Sequence, residues 1–212
     1  MPVMQTVAHD FLSKDFVGGH AALDFANTVT ARDTTPRDWL DGYVRLIEWA
    51  RQAGLVESRT GAQLLAAAER APREAAATLG RARKLREALH DTFVALIARR
   101  AVPATALAEV EAAWKRAATR GALTSGGGQL RLAPDADISG LDLPIDLVVF
   151  EALGLLAELD VERTRVCRGH DCGWLFLDTS KSGRRVWCDM ATCGNAAKSE
   201  RFARAVKRRR RA

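Results

Sequence analysis

The sequence predicts a mainly α protein with a minor β element, in which a helical N-terminal domain over residues 1–162 precedes a small cysteine-organised module over residues 163–212. Three observations predict it. Apolar residues recur at helical spacing through most of the first 162 positions. All four cysteines, Cys167, Cys172, Cys188 and Cys193, fall in the last quarter, so no disulfide framework holds the main body. Charge divides at the same place: from residue 163 onward 14 Lys or Arg stand against 4 Asp or Glu, so the first 162 residues carry −4 of the overall +6. A chain of 212 residues can build one sizeable core plus a small module, and 48% hydrophobic with 27% charged residues excludes a disordered or fibrous chain.

Residues 20–31 place Leu23, Ala26 and Val29 at helical spacing after a Gly18-Gly19 turn. Thr35-Pro36-Arg37-Asp38 reads as a helix start, with Thr35 as cap and Pro36 in the first position, and Trp39, Tyr43, Leu46, Ile47 and Ala50 continue one apolar face to Gly54. Thr60 and Gln63 open a short helix, and residues 72–100 form a long one that Gly80 threatens to kink. Pro103 starts a further helix through Trp114, while residues 121–128 read as a flexible turn. Its Gly126-Gly127-Gly128 run lacks the Lys-Ser/Thr of a phosphate loop. Residues 129–133 alternate like one strand of a hairpin whose partner is not apparent, and residues 144–162, apolar on nearly all sides, read as a central buried helix.

In the last segment the spacing is C-x4-C, fifteen residues, C-x4-C. Two close thiol pairs supply the tetrahedral soft-ligand set of one structural Zn2+. Between them, residues 174–178 and 184–187 have the length of a hairpin, and Gly194-Asn195 opens a basic helix to about Val206. This is a treble-clef-like zinc finger. Two disulfides, buried free thiols and an iron–sulfur cluster compete with zinc, and His170 competes as a ligand. Trp174, Phe176, Trp187 and Met190 are the candidate miniature core, so metal must contribute most of the folding free energy. On this reading Cys188→Ser unfolds residues 165–205 and leaves the body folded.

These residues carry a resemblance. Cys167-x4-Cys172-Gly173-Trp174-x-Phe176-x-Asp178, Arg184-Arg185-x-Trp187-Cys188-x-Met190 and Cys193-Gly194-Asn195 resemble the CGNR zinc finger, with Ala196 where that family's arginine stands and a matching basic Lys198. Upstream, Gly19-x-x-x-Leu23-Asp24-Phe25-x-Asn27-Thr28 and the stretch from Asp38-Trp39-Leu40 to Trp49 resemble the ABATE, or stress-induced transcription regulator, domain. The resemblance implies a bacterial transcriptional regulator whose finger binds DNA.

The residues support that role independently. Lys198, Arg201, Arg204, Lys207, Arg208, Arg209, Arg210 and Arg211 crowd the last helix and tail, and Arg184 and Arg185 precede it. Five consecutive cations at 207–211 repel one another without an anionic partner, so nucleic acid, DNA before RNA, is the expected partner. Asp24, Asn27 and Thr28 lie at i, i+3, i+4 on an apolar helix. Either they line a small-molecule effector pocket or they satisfy neighbouring backbone. The acidic body also suits a protein partner or a homodimer, and the paired thiols admit a redox sensor that loses zinc on oxidation. No H-E-x-x-H, G-x-S-x-G or Walker A motif supports an enzyme. Without a signal peptide or a membrane-length apolar run, a cytoplasmic location is expected.

Overall fold

The computed structural model describes residues 4–126 and 128–209. In chain order the elements are β1 (Gln5–Thr6), α1 (Ala21–Ala26), β2 (Val29–Thr30), β3 (Arg37–Asp38), α2 (Tyr43–Gln52), α3 (Ser58–Arg70), α4 (Pro72–Ile97) and α5 (Ala104–Ala118). Then follow β4 (Gly121–Gly126), β5 (Gln129–Pro134), α6 (Ala136–Ser139), α7 (Leu143–Ala157), β6 (Thr164–Val166), β7 (Leu175–Leu177) and α8 (Asn195–Arg209). Among the described residues the protein is mainly α, with three small sheets. Among the described residues no helix is long and apolar enough to cross a membrane.

The centre is α1, a six-residue helix capped by the His20 ring, which accepts from Ala22 N, and buried along Ala22–Ala26. It packs against α4, α7 and β7. Leu23, Phe25, Leu46, Ile47, Leu85, Leu89, Phe93 and Val148 are all at most 1% exposed. Leu175 and Phe176 of β7 belong to the same apolar cluster. Excluding water from these side chains contributes ~1.5–3 kcal/mol apiece.

Several local expectations give way to tertiary contacts. Residues 35–38 are extended and not helical: β3 pairs parallel with β1 and antiparallel with β2. The reason is Asp38, whose carboxylate accepts from the Arg86 guanidinium at 2.5 and 3.0 Å and from Leu40 N at 2.9 Å, with Arg83 Nε 3.1 Å away as an ion pair without hydrogen-bond geometry. Helix α2 therefore starts at Tyr43 behind Gly42. Residues 121–126, expected as a turn, form the missing strand partner of 129–134, because cross-strand hydrogen bonds outweigh the poor strand preference of glycine. Helix α4 runs unbroken through Gly80, which faces open space. Helix α7 is buried on one side only, with Glu151 and Gly154 exposed, since a chain of this size has no further layer to cover it. Trp39 and Trp49 are core residues, but Trp114 is exposed: the inward face of α5 is Ala106, Val110, Ala113 and Ala117.

The finger also differs in its pairing. Strand β7 pairs antiparallel with β6, which precedes Cys167, and residues 184–187 form no strand. The first cysteine pair thus sits in the loop of the β6–β7 hairpin. Of the four expected core residues, Trp174 and Phe176 are buried, Trp187 is half-buried and Met190 is exposed. The finger's buried side chains, Trp174, Leu175 and Phe176, join the core of the helical domain instead of forming a separate one.

Candidate metal centre and its seam with the helical domain

The hairpin loop presents Cys167 and Cys172, held by Cys167 N donating to Trp174 O at 2.7 Å. Asp171 (φ 57°) and Gly173 (φ 73°) turn the chain on either side of Cys172. Cys188 follows the 178–187 loop, and Cys193 lies in a π-helical turn, Met190–Gly194, that leads into α8. That turn is capped by Asp189, whose Oδ2 accepts from Thr192 N at 2.8 Å. Asp178 organises the loop: its carboxylate accepts from Ser180 N at 3.0 Å and Arg185 N at 2.7 Å.

All four sulfurs lie within 4.8 Å of one another. Cys188 Sγ is 3.7 Å from both Cys172 Sγ and Cys193 Sγ. A tetrahedron with metal–sulfur bonds of about 2.3 Å has edges of roughly 3.8 Å, so the cluster fits one structural Zn2+. Three of the thiols are buried and Cys193 is half-buried. Cys167 Sγ also accepts from Cys188 N at 3.2 Å and Gly169 N at 3.4 Å. The neighbouring Cys172 and Cys188 thiols, then these amides, hold the Cys167 thiol far below its ordinary range. The same closeness to Cys167 pushes Cys172 and Cys188 up, and burial pushes Cys193 up. Protein hydrogen bonds thus favour one thiolate, and only a cation balances four. His170 stays outside the cluster, its side chain 70% exposed beside Asp171.

Gly169 makes the packing of the thiols possible, while at Gly194 the crowding atom is the tip of the exposed, flexible Met190 side chain, which can turn aside. A Cβ on Gly169 would stand 2.8 Å from Cys193 Sγ, and one on Gly194 would stand 2.6 Å from Met190 Sδ. The sequence carried signals for these supports: a glycine between close thiols, Asp189 three residues before Thr192 as a cap, and Asp178 two before Ser180 as a side-chain turn.

Because α1 ends at Ala26, only Asp24 of the polar trio lies in it; Asn27 caps its end and bonds across the seam, Asp24 holds Gly18 beside that seam, and Thr28 bonds within the helical domain. Asn27 Nδ2 donates to Leu175 O at 2.9 Å, and Leu175 N donates to Asn27 Oδ1 at 2.8 Å. Asp24 Oδ1 accepts from Gly18 N at 2.8 Å, while Gly18 O accepts from Leu177 N at 2.8 Å. Burial pushes the Asp24 carboxyl from 3.8 up to about 7, against the pull of the Gly18 amide. Thr28 Oγ1 donates to Phe25 O at 2.8 Å and accepts from Arg86 at 3.3 Å. Trp39 meets Trp174 edge-to-face, with ring centroids 5.5 Å apart.

The basic residues fall into different environments. Arg184 is exposed, but the Arg185 guanidinium lies 4.8 Å from the Phe176 ring centroid and donates to Leu177 O and Cys188 O. On α8, Lys198, Arg201 and Arg204 are exposed, with Arg204 3.3 Å from Glu200. Lys207, Arg208 and Arg209 continue the helical backbone, and Arg210 and Arg211 lie outside the described residues.

Comparison with protein families gives two matches. Residues 19–162 match ABATE, described as "Putative stress-induced transcription regulator", and residues 163–210 match the CGNR zinc finger. No curated protein matches the chain. The helical part and the four-cysteine finger described above fall within these two matches, and the chain belongs to the ABATE family, with a C-terminal CGNR zinc finger.

Proposed function

We propose that the protein regulates transcription by binding duplex DNA through the finger. Cys167, Cys172, Cys188 and Cys193 hold one structural Zn2+, and the helical domain receives a signal. The observation that carries this reading is α8. It packs chiefly on the turn that precedes it and exposes Lys198, Arg201 and Arg204. A helix so placed offers cations to phosphate with little competition from the rest of the protein. Four sulfurs around the metal leave no open position for water, which argues for a structural rather than a catalytic ion. Of the finger's aromatic residues Trp174 is 9% exposed and Trp187 is half-buried, which leaves Phe202, 73% exposed on α8, as the ring open to stacking on an RNA base.

The test is binding to random-sequence duplex and single-stranded RNA across a salt series. With about five phosphate contacts, log affinity for duplex should fall by roughly 4 to 5 per log unit of salt. Preference for the RNA, or no binding at low salt, would overturn the reading.

A second observation bears on the signal. A cleft of about 370 Å3 opens along the seam between Lys14, Arg37 and Trp39 on one side and His170 and Trp174 on the other. The Trp174 Nε1–H is buried with no partner among the described residues. A small effector with an acceptor group suits this cleft better than the trio Asp24, Asn27 and Thr28, whose polar groups are already engaged within the protein.

A further inference from the structure

A second cleft, of about 570 Å3, opens between the finger and Asp33 and Ile97 of the helical domain, and among the described residues none of α8 lines it. Its size lies within the ~300–1,000 Å3 of ordinary ligand clefts. Among the described residues four arginines line it, Arg165, Arg168, Arg184 and Arg185, with Asp33 as the one carboxylate. Arg168 N donates to Val186 O at 3.2 Å, which sets the segments carrying Arg168 and Arg184 side by side.

The four guanidinium groups are not equivalent. Arg185 is spent on Phe176 and two carbonyls. Arg165 donates from Nη2 to Gly183 O at 3.0 Å, but its Nε–H is buried with no partner among the described residues. Arg168 and Arg184 are exposed, and among the described residues neither side chain has a hydrogen-bond or ion-pair partner. A buried donor lacking an acceptor beside two free planar forks asks for an oxygen-rich dianion or monoanion. Ile97 and Val186 add apolar wall, which suits a sugar more than it suits a bare ion.

We propose that this cleft grips one sugar–phosphate unit of the nucleic-acid backbone. Arg168 and Arg184 bind phosphate oxygens and the Arg165 Nε–H donates to the same group. The inference rests on the nucleic-acid reading above and adds a contact surface separate from α8. Its competitor is that these arginines only offset the net charge near −2 of a tetrathiolate zinc, since Cys167 lines the same cleft.

The experiment compares the full-length, zinc-loaded protein with Arg168→Ala/Arg184→Ala by anisotropy on a duplex of about 20 base pairs. Salt is varied from about 50 to 300 mM, and zinc content is measured in both proteins. Loss of this one phosphate contact should flatten the log–log salt slope by about 1 and weaken binding about tenfold or more at low salt, with zinc retained. Parental slope and affinity in the variant would overturn the inference while leaving the DNA reading intact. So would a variant that loses zinc yet binds like the parent once reloaded. Failure of the parent itself to bind at low salt would remove the nucleic-acid reading, and this inference with it.

Discussion

Asn27 and Leu175 lie 148 positions apart in sequence, yet the Asn27 amide bonds both the N–H and the C=O of Leu175. A side-chain amide here takes the place of a neighbouring strand at the free edge of β7. It joins the helical domain to the strand that frames the metal site, so the two parts share one core.

Asn27→Ala should leave two buried backbone groups without partners, at ~1–3 kcal/mol for each. Urea denaturation should show a loss of that order. Hydrogen exchange at the Leu175 amide should accelerate more than elsewhere. An unchanged midpoint would mean that water replaces the amide and that the clamp is dispensable.

Zinc removal tests the shared core. The cysteine spacing by itself leads to a finger that unfolds alone, but Leu175 and Phe176 are fully buried beside the residues of α1. Chelation, or Cys188→Ser, should therefore lower the melting temperature of the whole protein and expose amides of α1 to exchange. A helical domain that melts identically with and without metal would show that the seam contributes nothing.

Gly169→Ala should weaken metal binding without touching a thiol, because the new Cβ would stand 2.8 Å from Cys193 Sγ. Competition with a chromophoric chelator should report a zinc affinity lower by about 10–100-fold, the usual cost of disturbing what surrounds a metal site. Parental affinity would mean that the loop yields easily.

Asp24 makes stability depend on pH. Its carboxyl is lifted from 3.8 to about 7 in the folded protein, first by burial, so the native state holds the proton more tightly than the unfolded chain. The stabilisation is complete below about pH 4 and is lost as pH rises through about 7. Asp24→Asn keeps an acceptor for Gly18 N and removes the ionisation. Relative to the parent, it should gain stability between pH 4 and 8, by an amount of order a few kcal/mol at the upper end. A constant difference across that range would place the carboxyl in the ordinary range.

Arg86, 1% exposed, faces the equally buried Asp38. Arg86→Met should take two hydrogen bonds and a buried countercharge from that carboxylate, leaving it Arg83 and the Leu40 amide, and destabilise by about 3–5 kcal/mol, whereas Arg86→Met/Asp38→Leu should recover much of the loss. Equal damage in both variants would assign the effect to packing instead of charge.

The helices with strong apolar periodicity, such as α4, and the thiol cluster were both legible from spacing, because a helix and a tetrahedral ligand set each impose a local pattern. What misled was context. Thr35-Pro36-Arg37-Asp38 has the composition of a helix start, but Arg86, 48 positions beyond Asp38, captures the carboxylate and makes the segment a strand. Residues 121–126 look like a turn until residues 129–134 provide hydrogen bonds. Arg185 reads like its neighbour Arg184, yet only its fold position sets it over Phe176.

From residue order alone came the division into an acidic helical domain and a basic four-cysteine finger, since composition and short-range periodicity are properties of the chain. The tertiary structure decided how the two parts meet: that β7 belongs to the core around α1, that Asp24 and Asn27 serve the seam, and which arginines remain free to bind. The seam depends on contacts between residues more than a hundred positions apart and the arginines on contacts made as the finger folds back on itself, and in both burial and unpaired polar groups, rather than local propensity, set the free energy.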